Sequence, residues 1–514
     1  MTEGKRIFLN VVATYGRSLY ALVIGLFCGR WALMALGKSD YGILGVVGGL
    51  TVFVAYLNGV FGGAVSRFYA ITVGKEKTSP EQALAECRMW FTTAVIVHTL
   101  IPLVLMLIGY PIGEYAVRHW LVMPADRIES AVWVWRFASV TCFLSMVSVP
   151  MNAMYEAKQR IAELTVYAFV TSTLNAVFLY YMITHPGFWL TRLAFWQCLL
   201  AVLPSLIIAL RAFRLFPECR FEWQYVNCMG NVRKLAGYAA WTALGAFGTV
   251  TRDSGSAVLL NLNFGPTVNA GATIGNTLSA QCNTLSGSMI GAVAPAIYNA
   301  WGAGLYDHAR ALAYRTCKIG TLLVLVFAIP LCLEVDEVLR IWLREPPQYA
   351  SGFCILVLVM NVFDKLSFGH SLAVHANGRV AIFQKVLGTA LVMTLPLAWL
   401  LIRMGVGPYA TGFAMIMTMA FCSLGSVWLA RSLVGMSAGY WLKRIAGPIA
   451  FVVLVSAAAG CLVRYTMDPS FSRICLTTFL VESVLLSMAW RWVLEPEERD
   501  YVVSKVRSAV GGGR

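Results

Sequence analysis

The chain has 514 residues, of which 59% are hydrophobic and only 13% charged, and it carries a net charge of +15. A soluble domain carries roughly 25% charged residues, and here the deficit runs from end to end, which excludes a soluble protein on a single anchor. The apolar runs are long and continuous rather than alternating in ~10-residue pieces, which excludes a strand barrel.

A bilayer core takes about 20 apolar residues per helix. Fourteen stretches meet that requirement: 8–34, 43–72, 90–110, 131–153, 162–184, 190–211, 235–262, 268–300, 317–334, 350–374, 380–402, 407–430, 445–464 and 473–493. The predicted fold class is therefore all-α, a polytopic membrane protein of about fourteen transmembrane helices. With the N-terminus inside, 25 of the 40 Lys and Arg fall on inner segments. This bias orients a chain during insertion, so the basic excess is a topology signal with a contribution from anionic lipid headgroups, and no nucleic acid is expected. Both termini are expected in the cytoplasm and the protein in the inner membrane. Span 1 follows a short basic stretch but is too long for a signal-peptide core and lacks a small-residue cleavage site, so it is read as retained.

Ionisable groups inside spans are costly and usually face an interior cavity. Arg17 lies about 6 Å from the middle of span 1 at 1.5 Å per residue. Arg252 is equally deep in span 7, and both are too deep for easy snorkelling. Arg30, Arg67 and Arg136 sit near span ends, where snorkelling is the default. His98 and Glu482 are lone groups read as packing or interfacial. Two adjacent pairs, Arg252-Asp253 and Asp364-Lys365, lie deep in spans 7 and 10. Neighbours at i and i+1 do not face each other on a helix, so each member is expected to partner another helix or water. Asp253, Asp364 and Lys365 then form either a cross-helix charge network or a coupling site.

Span 8 is unusually polar. Asn269, Asn276 and Asn283 recur every seven residues and form one stripe with about 20° drift per step. The stripe is either inter-helix glue beside the Gly271/Gly275 and Gly287/Gly291 spacings, or a cavity wall offering amides to sugar hydroxyls. The Glu334-Val335-Asp336-Glu337 run at the outer end of span 9 resembles the metal-binding cluster of membrane glycosyltransferases. Outer segments are too short for a soluble active site, however, and interfacial acids are the commoner outcome. The thirteen Cys are scattered without a C-x-x-C pair and read as packing residues. No G-x-x-x-x-G-K-[ST] loop is present, which argues against ATP hydrolysis by this chain. No cofactor, metal or catalytic residue is expected, and the chain is not read as an enzyme.

A shift of 228 residues aligns 36–85 with 264–313 without a gap, with eleven of 50 positions identical. Matches include Gly37/Gly265, Gly59/Gly287, Gly63-Ala64-Val65 with Gly291-Ala292-Val293, and Gly74/Gly302. Six spans per unit is an even number, so the repeats are parallel about an axis along the membrane normal. The expected organisation is a six-helix lobe at 1–211, a basic connection at 212–234, a second six-helix lobe at 235–432, and helices 13–14 with a tail at 433–514. Pro102, Pro150, Pro204, Pro295, Pro330, Pro396 and Pro448 lie in or near spans and suggest kinks.

Arg6 through Arg67, with the Leu36-Gly37-Lys38-Ser39-Asp40-Tyr41-Gly42 turn and Ser66-Arg67-Phe68, resembles bacterial oligosaccharide flippases. Val149-Pro150-Met151-Asn152-Ala153, followed by Glu156 and Lys158, resembles their span 4–5 connection. That superfamily unites Wzx-type polysaccharide exporters, the lipid II flippase, and multidrug and toxin extrusion carriers. The resemblance implies two lobes around a cavity and alternating access for a polyprenyl-diphosphate-linked oligosaccharide. It also implies that the last two helices help form a lipid groove and that cavity arginines grip the diphosphate, with Arg17 and Arg252 as candidates. Guanidinium suits that role through bidentate geometry and permanent charge. Span 1 lacks the acid of the extrusion carriers, and spans 11 and 12 lack those of the lipid II flippase. Asp253 alone could contribute to a coupling site, so Na⁺, H⁺ and membrane potential all stay open as drivers. Expected partners are the lipid-linked oligosaccharide, membrane lipid and glycan-assembly enzymes. The alternatives are a cation-coupled multidrug extruder and a polytopic glycosyltransferase or polymerase.

Overall fold

The computed structural model describes residues 52–119, 124–185, 187–226, 229–264, 266–343 and 346–500, with scattered helical positions between 16 and 44. Most of the first expected span and the start of the second lie outside these. In chain order the helices are α1 (Val52–Gly74), α2 (Pro80–His119), α3 (Ile128–Val147), α4 (Val149–Ala157), α5 (Ile161–Thr184), α6 (Leu190–Leu215), α7 (Met229–Phe264), α8 (Pro266–Gly302), α9 (Tyr306–Leu343) and α10 (Ala350–Asn377). They continue with α11 (Val380–Val392), α12 (Thr394–Arg403), α13 (Ala410–Val434), α14 (Ala438–Trp441), α15 (Gly447–Thr466) and α16 (Phe471–Met488). No strand occurs among the described residues. Nine helical segments among them are long and apolar enough to cross a membrane by length and composition. The protein is a polytopic all-α membrane protein.

Several helices outrun the hydrocarbon. α2 has 40 residues, α7 36, α8 37 and α9 38. At about 1.5 Å per residue these reach roughly 55–60 Å, twice a ~30 Å core. The apolar cores seen in the sequence are thus the middles of longer rods. The breaks have local causes. Span 4 divides at Ser148, with Pro150 in the first turn of α4, where its missing N–H is harmless. Glu334, with φ −115° and ψ 19°, kinks α9 one turn after Pro330. A π turn, Leu442–Ala446, joins α14 to α15 just ahead of Pro448.

Contacts divide the chain into two compact units, 1–243 with 291–309, and 244–290 with 310–514. The division falls inside α7 and α8.

In the first unit, Ile43, Val117, Ala131, Val132, Trp135 and Leu190 form a buried core. Gly113 is required there, because a Cβ would stand 2.1 Å from the Trp135 ring. The basic connection is fastened rather than loose. Arg88 donates to the Pro217 carbonyl at 3.0 Å and to Glu222 at 2.9 Å, and Lys158 lies 2.5 Å from Glu76 and 2.7 Å from Glu218. Burial would depress the Lys158 ammonium, but the two carboxylates outweigh it and hold it above the usual lysine range.

In the second unit, α15 and α16 belong to the core. Ile445, Ile449, Val452, Val481 and Leu485 pack with Leu325, Ile329 and Val427. Two charge clusters hold the ends of this packing. At one end Arg473 donates twice to Glu334 Oε2, at 2.7 and 3.1 Å, while Thr477 donates to Oε1 at 2.9 Å. At the other, Lys318 is 1% exposed and lies 3.2 Å from Glu495 and 3.3 Å from Glu498.

Candidate functional site

The second unit contains a polar cavity of about 230 Å³. Its walls follow from helical spacing, since residues three, four and seven apart share a face. α10 supplies Asp364, Ser367 and Ser371; α13 supplies Met419, Cys422, Ser423 and Ser426; α7 supplies Gly245 and Thr249; α11 supplies Gln384 and Leu387. Small residues bring α7 and α11 together beside it. A Cβ on Gly245 would meet Gln384 Oε1 at 1.9 Å, and one on Gly248 the Gly388 carbonyl at 2.8 Å.

Arg252 sits one turn along α7 from Thr249 and is 5% exposed. Its Nε donates to Asp253 Oδ1 at 2.7 Å, while one buried terminal nitrogen has no hydrogen-bond partner among the described residues. Lys365 donates to Asp364 Oδ2 at 2.5 Å and lies 5.2 Å over the Phe368 ring. The expectation that adjacent charges cannot meet is therefore corrected. Their Cβ atoms diverge, but a long cationic side chain curls around its own helix to reach the neighbouring carboxylate, and in a buried setting that is the cheapest compensation available. Asp364 lines the cavity, and Arg252 follows the lining residue Thr249 by one helical turn.

An apolar groove of about 450 Å³ lies beside it, lined by Val362, Phe363 and Leu366 of α10, Leu424 and Ser423 of α13, and Trp441, Ile449, Val453 and Leu454 of α14–α15. Ser423 lines both spaces. Leu424 and Leu454 are 61% and 69% exposed, so the groove opens on the surface that lipid would cover.

The other candidate residues are placed as follows. Arg17, in the first unit, is half-buried and has no hydrogen bond or ion pair among the described residues. Asn283 donates to Asn361 Oδ1 at 3.1 Å and to Ser279 at 3.3 Å, so this part of the stripe ties α8 to α10. Asn276 is half-buried, and the side chain of Asn269 lies outside the described residues. Gly271 and Gly275 serve packing, since a Cβ on either would meet backbone at Gln348 or Phe353, at 2.6 and 3.1 Å. Arg67 does not snorkel. It is 6% exposed and lies 4.7 Å over the Tyr238 ring, because aromatic faces accept a guanidinium. Arg136 pairs with Glu114 at 3.0 Å. His98 is a packing residue, bonded to the Ala94 carbonyl at 2.9 Å. Arg30 lies outside the described residues. No group of three metal-binding side chains occurs among the described residues, and Glu334 of the acidic run is spent on Arg473. Of the residues lining the cavity and groove, the sequence singled out Asp364 alone; Ser423, Cys422 and Gln384 are among those it missed. Serines at 423 and 426 beside Cys422 were the available signal, but weakly polar residues are common in spans.

No family model matches the sequence, and no curated protein matches it. Solved structures do. An outward-facing multidrug resistance MATE family transporter of the MOP superfamily superposes with a TM-score of 0.71 at 16% identity, covering 84% of this chain and 96% of that one. MATE in complex with MaL6 gives 0.68 at 15%, covering 85% and 99%. A MOP superfamily transporter from Pyrococcus furiosus, described as having a binding pocket of reverse polarity that suggests a different function, gives 0.69 at 14%, covering 84% and 96%. The chain has the fold of MATE family transporters of the MOP superfamily.

Proposed function

We propose that this chain is a membrane transporter that moves an amphiphile with a long apolar chain and an anionic head, of the polyprenyl-diphosphate-oligosaccharide class, from the inner to the outer leaflet of the cell inner membrane. The carrying observation is the pair of adjoining spaces in the second unit. An apolar groove open to the lipid side adjoins, through Ser423, a hydroxyl-lined cavity beside a buried guanidinium with an uncommitted N–H. The groove suits a hydrocarbon chain, the hydroxyls and Gln384 suit sugars, and Arg252 suits a phosphate oxygen. Arg17 is the second phosphate-binding candidate. The inside-positive charge bias supports cytoplasmic termini.

The fold neighbours favour a second reading, a multidrug extruder, since one of them is a multidrug resistance transporter. Arg252 and Lys365 are each paired with the neighbouring carboxylate, so what weighs against this reading is the buried Arg252 nitrogen left without an acceptor among the described residues, which suits an anionic group. The reverse-polarity relative indicates that this fold accommodates different pocket charge. Replacing Arg252 with Ala should abolish glycan export while leaving the protein inserted. Lys should rescue only in part, since it binds as a point charge, and Arg17→Ala should act in the same direction. Full export by Arg252→Ala, in cells that hold the variant at normal level, would remove Arg252 from substrate binding.

A further inference from the structure

The connection that follows α6 is fixed to α2 at a definite depth. Phe216 is 4% exposed and meets the Tyr155 ring edge-on at 5.0 Å. Arg88 of α2 holds the Pro217 carbonyl and Glu222, and the Glu222 amide donates to Thr92 Oγ1 at 3.1 Å. Thr92 stands at the start of the apolar run of α2, which opens at Trp90. The segment is therefore fastened at the level where headgroups give way to hydrocarbon. Glu222 is extended, with φ −122° and ψ 117°, so Phe221 and Trp223 point away from the face that Glu222 turns to α2. Their rings meet edge to face at 5.2 Å and are 38% and 81% exposed. Phe213 and Leu215, in the last turn of α6, are exposed as well.

The charges of this segment are unevenly spent. Glu218 is taken by Lys158 and Glu222 by Arg88, while Arg211 pairs with Glu163. Arg214 and Arg220 are exposed and have no ion pair among the described residues. Two uncommitted guanidinium groups thus accompany an exposed apolar face held at headgroup depth.

We propose that this connection is a binding site for anionic phospholipid: Phe221 and Trp223 enter the acyl boundary, and Arg214 and Arg220 take the headgroup phosphates. An indole ring suits that boundary because its body is apolar and its N–H can stay wet. A guanidinium takes two phosphate oxygens at once. A soluble partner would need the aromatic face clear of the bilayer, and its level on α2 sets it in the headgroup layer.

The test uses the full chain in phosphatidylcholine vesicles containing a minor share of phosphatidylglycerol, with a bioorthogonal fluorophore at the exposed Gln224. Bromine is carried on the acyl chains of one lipid or the other. Per mole, brominated phosphatidylglycerol should quench about fivefold more than brominated phosphatidylcholine, the scale of basic groups near an anionic headgroup. Arg214→Gln with Arg220→Gln should bring the two lipids to parity while quenching persists. Phe221→Ser with Trp223→Ser should remove quenching by both. Circular dichroism verifies that each variant is folded. Equal quenching by the two lipids in the native chain overturns the site, as does a preference that survives the double arginine variant. Quenching by neither lipid also overturns it and leaves the surface to a soluble protein. The fluorophore needs no cargo, so the result stands apart from the Arg252 export assay.

Discussion

Glu334 and Arg473 make the sharpest energetic prediction in the protein. Glu334 is 2% exposed and Arg473 7%, and their two hydrogen bonds join the kink of α9 to the first turn of α16. Replacing Glu334 with Leu strands a guanidinium that keeps only the Met467 carbonyl, at 3.2 Å, and leaves the buried Thr477 hydroxyl without its acceptor. Breaking one side of a buried ion pair costs about 3–5 kcal/mol, and the hydroxyl adds less than its separate ~1 kcal/mol because the losses overlap. The Glu334→Leu variant should therefore lose about 4 kcal/mol. The Glu334→Leu, Arg473→Leu double variant should return to within about 1 kcal/mol of the native chain, since an apolar pair of similar size replaces the ion pair at little cost. Equilibrium unfolding in mixed micelles measures both. A single variant within about 1 kcal/mol of native, or a double variant as poor as the single, refutes the reasoning.

Other outcomes follow from the same geometry. Lys318→Met should leave Glu495 and Glu498 without their buried cation and free the C-terminal segment, seen as faster proteolysis beyond residue 494. Burial would raise the Glu495 carboxyl, but the Tyr440 hydroxyl at 2.5 Å and Lys318 at 3.2 Å outweigh it and hold it below the ordinary glutamate value of 4.5. A depressed carboxyl contributes stability that is present above its unfolded value and lost as pH falls through the folded one. The segment should thus stay protected at pH 5 to 7 and become cleavable only below about pH 4; equal cleavage at pH 7 counts against the clamp. Gly113→Ala, which pushes a methyl into the Trp135 ring, should destabilise the first unit by about 1–3 kcal/mol, read as a lowered melting temperature. Ser423→Trp, filling the wall shared by groove and cavity, should stop transport without loss of folded protein, and undiminished transport would detach those spaces from the substrate path.

The sequence announced the helices because apolar runs of about 20 residues have one main use. It understated α2, α7 and α9, whose ends beyond the hydrocarbon are no longer apolar, while α8 was read almost whole, at 268–300 against Pro266–Gly302. Of the glycines matched by the 228-residue shift, Gly74 and Gly302 stand at close approaches that admit no Cβ. Depth along a helix correctly singled out Arg252 as buried. It misjudged Arg67, because whether a guanidinium near a span end snorkels depends on what faces it, here Tyr238 from a helix 171 positions away in the chain. The rule that i and i+1 diverge was true of the backbone and failed for Arg252-Asp253, where side-chain reach decided. The pairings Lys318 with Glu498 and Arg473 with Glu334 span 180 and 139 positions, and nothing local encodes such partners.

The central claim is that the groove and cavity of the second unit take a lipid-linked anionic glycan. Its most direct test is purified protein in liposomes loaded on one leaflet with a labelled polyprenyl-diphosphate oligosaccharide, beside parallel vesicles containing an organic cation. The account predicts that the glycan becomes accessible on the opposite leaflet with the native chain and not with Arg252→Ala, while the cation stays put. Movement of the cation with no movement of the glycan would contradict it and make the protein an extruder.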